Sequence, residues 1–160
     1  MASHPASDTL KRAIKAHQSG QSKQALALAE ASWRMIEEIP GDPPEAGLVA
    51  SWYGFLLANV GSRPVEGLAL CRKAVDLAFW EPTAFLFLTR LELEFGSRDL
   101  ALRACHRGLA LAPDHRELQE MRERMGFRRP PALKFLARTH PINRMVGRWS
   151  FKREVAEPAR

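Results

Sequence analysis

The strongest constraint on what this chain can fold into is a stretch that it writes twice. Residues 67–78 read GLALCRKAVDLA and residues 101–112 read ALRACHRGLALA. In that register leucine stands at 68 and 102 and again at 77 and 111, cysteine at 71 and 105, and a base at 73 and 107, each pair 34 residues apart. Within each copy the apolar positions recur at three and four, the spacing of one helix face. A helical hairpin buries one stripe on its own partner helix and leaves another open, and a second similar hairpin covers it. A fixed period of this length is therefore the mark of stacked helical hairpins.

The rest of the chain is punctuated to match. Leu10, Ala13 and Ile14, then Ala25, Leu28, Ala29, Ser32, Trp33 and Ile36, keep helical spacing on either side of Gly20. This predicts two antiparallel helices joined by a tight turn, with Ser22 as N-cap of the second. PGDPP at 40–44 stops the pattern, because proline fixes φ, lacks an N–H and pushes its predecessor out of the α region. A second pair is predicted over about 45–60 and 64–78 around GSRP, with Pro64 where a first helical turn tolerates it. A third follows over about 83–95 and 98–112 around Gly96-Ser97, and a shorter helix over about 116–125 closes the series at Gly126.

These residues resemble the tetratricopeptide repeat. Residues 82–115, PTAFLFLTRLELEFGSRDLALRACHRGLALAPDH, are similar to it throughout: Phe85, Leu88, the turn at Gly96, Ala101-Leu102, Leu109, Leu111 and Pro113. The second unit keeps Gly54, Gly61, Gly67-Leu68, Ala74-Val75 and Leu77, but has one extra residue after Gly61 and Phe79 where proline is usual. The first keeps Ala13, Gly20 and Ala25-Leu26 and has a lengthened second helix. The resemblance covers about residues 6–126. It implies an all-α, right-handed αα-hairpin solenoid of three helix pairs with a capping helix, followed by a C-terminal extension over 127–160.

The resemblance also implies a scaffold or adaptor that binds another protein. Its concave groove, lined by the first helix of each pair, would take an extended peptide or a helix. The groove-facing positions it implies are Leu10, Ile14 and His17, then Leu48, Ser51, Phe55 and Asn59, then Leu86, Arg90, Leu93 and Glu94. Several of these positions suit ordinary core packing equally well.

Other functions find little support. LVASWYGFLLANV, at 48–60, is the longest apolar run and falls short of the roughly 18 to 20 residues that span a bilayer. The start of the chain carries no apolar leader segment, and two cysteines without a CxxC fit a reducing compartment, so a cytoplasmic location is expected. There is no nucleophile elbow, phosphate loop or HExxH, and Glu92 and Glu94, two residues apart, face different sides of a helix. Neither catalysis, a cofactor, a metal nor a small-molecule substrate is expected. Cys71 and Cys105 read as buried structural thiols, and His106 and His115 as solvated side chains.

Charge is the one asymmetry. The net charge is +6, yet residues 128–160 hold nine bases and two acids while the remainder holds 15 and 16. The basic stretch is studded with apolar side chains, which makes Arg128, Arg129, Lys134, Phe135, Arg138, Met145, Arg148 and Trp149 candidate contacts. Three readings stand side by side: the tail packs on the repeats, it anchors a partner through Phe135, Met145 and Trp149, or its bases meet phosphates of nucleic acid or an anionic membrane. The last supplies the alternative function.

Overall fold

The computed structural model describes residues 4–126. The extension at 127–160, with every tail candidate from Arg128 to Trp149, lies outside the described residues. The described residues form seven helices and no strand: α1 (Pro5–Gln18), α2 (Ser22–Glu37), α3 (Ala46–Asn59), α4 (Pro64–Leu77), α5 (Pro82–Phe95), α6 (Arg98–Leu111) and α7 (Arg116–Met125). Proline opens α1, α4 and α5, where its missing N–H costs nothing and its fixed φ is already helical. The expected lengthening of the first unit is present, since α2 has 16 residues where α4 and α6 have 14. Ser22 is not the N-cap: Gln21 takes that place without a side-chain hydrogen bond, and Ser22 is the first helical residue.

Each helix packs on its sequence neighbours, and α3 also packs on α1 and on α5. That pattern is a stack of hairpins, α1/α2, α3/α4 and α5/α6, with α7 laid on the last. The tightest joint lies inside the second hairpin, where Gly54 and Gly67 face each other. A Cβ on Gly54 would sit 2.7 Å from the Gly67 carbonyl oxygen, and one on Gly67 would press on the Gly54 carbonyl. Here α3 and α4 meet backbone to backbone, which no larger residue permits. Alanine serves the looser crossings: Ala13, Ala25, Ala29 and Ala101 are all fully buried.

Two apolar clusters run through the stack. One joins α1, α2 and α3 around Trp33, Val49 and Leu56, and the other joins α4, α5, α6 and α7 around Cys71, Phe85, Leu91 and Leu118. Trp52 and Phe55, half-buried on α3, pack against both. The buried hydroxyl of Ser32 donates to the Ala6 carbonyl 2.8 Å away, tying α2 to the start of α1.

Both cysteines are fully buried and free. The Cys71 thiol lies 3.5 Å from the Ser51 carbonyl, toward which it donates, and Cys105 donates to the Leu118 carbonyl at 3.3 Å. Burial pushes the Cys71 thiol up to about 12 and raises Cys105 as well. Such thiols are neutral and inert at ordinary pH. His106 is exposed, as expected. His115 is not fully solvated, because its Nδ1 is buried and finds no partner among the described residues.

Candidate functional site

The first helices of the hairpins, α3 and α5, together with α7, enclose a groove of about 550 Å3. Helix α3 supplies Phe55 and Asn59, and α5 supplies Arg90, Leu93 and Glu94. Five of the residues implied by the repeat resemblance are thereby brought together. The remaining wall comes from α7, through Glu117, Glu120, Met121 and Arg124.

The other implied residues fall elsewhere. Leu10, Ser51 and Leu86 are only 3%, 0% and 4% exposed and belong to the interior. Each sits on the helix face that meets the neighbouring helix, and Ser51 turns its hydroxyl back to the Leu48 carbonyl at 2.8 Å. They are packing residues and offer no surface to a partner. Ile14, His17 and Leu48 are half-buried and lie outside this groove. His17 sets its ring edge-on to Trp52 and Phe55, with both centroids 5.9 Å away.

Aromatic packing fixes the floor. Phe55 stacks on buried Phe87 with centroids 4.4 Å apart, and Trp52 meets the same ring edge-on at 4.7 Å. Offset and edge contacts of this kind hold rings in one orientation, so Phe55 is held from beneath. Phe87 was not among the implied groove residues, yet it sets the position of one that was. The Asn59 side chain is similarly committed, its Nδ2 donating to the Phe55 carbonyl at 2.8 Å.

The charges are arranged by the helices that carry them. Arg90 pairs with Glu117, joining α5 to α7, and its guanidinium lies 5.7 Å from the centre of the Phe55 ring. Glu120 is paired along α7 with Arg116 at 2.9 Å. Glu94 and Arg124 line the groove with no charge partner among the described residues.

Glu92 and Glu94 do face different sides, as their spacing predicts. Glu94 is exposed in the groove, whereas Glu92 is 2% exposed. One Glu92 oxygen accepts from Arg72 Nε at 2.8 Å and the other from the Ser97 backbone N–H at 3.2 Å. This carboxylate binds α4 to α5 and sits at the start of α6, where unpaired N–H groups favour an anion. The hydrogen bond and charge of Glu92 raise the Arg72 guanidinium further. Its contacts join one hairpin to the next.

The α7 residues are what sequence reasoning missed. Treating residues 116–125 as a cap hid a simple signal, for the 34-residue period carries Phe87 to Met121 and Arg90 to Arg124. Helix α7 thus stands where the first helix of a further unit would stand, and it is the last helix among the described residues. Among the described residues no cluster of three or more His, Cys, Asp or Glu is placed to hold a metal ion, and no helix is long and apolar enough to cross a membrane.

No protein-family model and no curated protein sequence matches this chain. Among solved structures it is similar to the tetratricopeptide-repeat domain of Arabidopsis OM64, with a TM-score of 0.61 at 12% sequence identity. The match covers 75% of this chain and 93% of that one. The fold is that of a tetratricopeptide-repeat domain, all-helical and built from successive hairpins.

Proposed function

We propose that this protein is a non-catalytic interaction module that holds a segment of another protein in the groove between α3, α5 and α7. The observation that carries this reading is an apolar surface assembled from three helices and left uncovered by the described residues. Phe55, Leu93 and Met121 converge there from positions far apart in sequence, and Leu93 remains 41% exposed. Removing such surface from water is favourable by about 25 cal/mol per Å2, against which stands the entropy lost on association, and the surrounding Asn59, Glu94 and Arg124 supply the polar rim that gives a peptide its register. A carrier with two unpaired, buried thiols suits the cytoplasm.

The test compares the full chain with Leu93→Asp, and with Val65→Asp as a control at an 81% exposed position outside the groove. Partners are recovered from nuclease-treated lysate and crosslinked through a photoreactive group at residue 94. The groove reading expects Leu93→Asp to lose the crosslinked partner while its melting temperature and helicity stay with those of Val65→Asp. Equal recovery by both variants would sink it.

A second reading rests on the nine bases of residues 128–160, which suit nucleic acid or an anionic membrane. Phosphate contacts weaken steeply between about 50 and 200 mM salt, whereas apolar groove binding changes little. Partner loss on nuclease treatment, or salt-sensitive binding that survives Leu93→Asp, would favour this alternative.

A further inference from the structure

We infer that the groove selects a basic apolar segment, one that presents an aliphatic or aromatic anchor with Lys or Arg within a few residues of it. The inference rests on the groove reading above and deepens it.

Among the described residues the sign of the groove is set by two helices. Helix α3, AGLVASWYGFLLAN, carries no charged residue, so the electrostatics of the site come from α5 and α7. The lining carboxylates Glu94, Glu117 and Glu120 outnumber the guanidiniums of Arg90 and Arg124. What matters to a partner is how many of these are already spoken for.

Arg90 is satisfied from within, by Glu117 and by the face of Phe55. Its charge is already set against the Glu117 carboxylate, which weakens its pull on an incoming one. Glu120 is held only by Arg116, whose side chain is 89% exposed; an exposed pair of that kind is worth little and is readily exchanged for a better placed base. Glu94 has no partner among the described residues. Beside the apolar floor, the described residues therefore leave two carboxylates available against one guanidinium, that of Arg124. A Leu, Met or Phe side chain set on Phe55, Leu93 and Met121 brings a neighbouring base toward Glu94 and Glu120. An acidic neighbour meets repulsion there and finds Arg90 occupied. Charge matching of this sort governs which partner is accepted more than how tightly the apolar anchor is held.

Fluorescence anisotropy on the full chain tests this with two labelled 12-residue peptides of the same Leu, Met and Phe content, one carrying four Lys and the other four Glu. The chain as a whole is +6, so non-specific attraction alone favours the acidic peptide, and a preference for the basic one is diagnostic. At about 50 mM salt the basic peptide is expected to bind about tenfold more tightly. Glu94→Lys is expected to abolish or reverse that preference, and Leu93→Asp to remove binding of both. Tighter or equal binding of the acidic peptide, still lost with Leu93→Asp, overturns the charge inference and leaves the groove reading standing. Binding of either peptide that ignores Leu93→Asp overturns both. So does binding of neither, as when another part of the chain fills the groove.

Discussion

Glu92 and Cys71 show how far single residues here serve the stack instead of chemistry. The Glu92 carboxylate folds back over Gly96, where a Cβ would collide with it, so a larger residue at that turn would push the carboxylate away from the Ser97 N–H. Cys71 makes a prediction about pH. Burial sets its thiol at about 12 in the folded chain, against about 8.5 for a solvated cysteine. A folded value above the unfolded one means that the unfolded chain loses its proton first as pH rises. The stability associated with the neutral thiol is thus fully present below about pH 8.5 and lost progressively toward pH 12, at up to about 1.4 kcal/mol per pH unit. Urea unfolding at pH 8 and pH 10.5 should show a steeper loss for the native chain than for Cys71→Ala. Equal slopes would mean that the thiol is open to water.

At the scale of the helix, α7 is the element on which both stability and the groove depend. It is ten residues long, RELQEMRERM, and mostly charged, too short to persist alone in water. Leu118, fully buried against α6 near Gly108 and Phe85, holds it to the stack together with Met125. Leu118→Ala removes that anchor and leaves a cavity, at an expected cost of about 2 to 5 kcal/mol. Differential scanning calorimetry on the full chain measures the loss, and peptide binding should weaken in parallel because Met121 and Arg124 leave the groove with the helix. Full binding by a destabilised Leu118→Ala chain would show that α7 is not a wall of the site.

The whole stack behaves as a short one-dimensional array, since helices contact only near neighbours in sequence. Stability in such arrays is a sum of units and the joints between them, and local openings can be smaller than global unfolding. Trp33, 8% exposed in the first cluster, is the residue to test. Trp33→Ala is expected to cost about 3 to 5 kcal/mol and to speed hydrogen exchange in α1, α2 and α3 more than in α6 and α7. Uniform acceleration across all seven helices would mean that Trp52 and Phe55 couple the two clusters into one cooperative unit.

Among the described residues the helices, their turns and their pairing were legible from local order alone. A 34-residue period, prolines at helix starts and glycines at turns specify hairpins because each acts on the backbone within a few residues of itself. Five of the residues that line the groove were implied by the resemblance to the tetratricopeptide repeat. Which apolar residues on a first helix face the groove and which face a neighbour was decided only by packing: Leu86 and Phe87 are adjacent and both buried, yet Phe87 supports Phe55 while Leu86 serves the core. The pairing of Arg72 with Glu92, and of Arg90 with Glu117, joins residues 20 and 27 apart in sequence. Such partners are brought together by the stacking of hairpins, and the charge left over for a partner is a property of that tertiary arrangement.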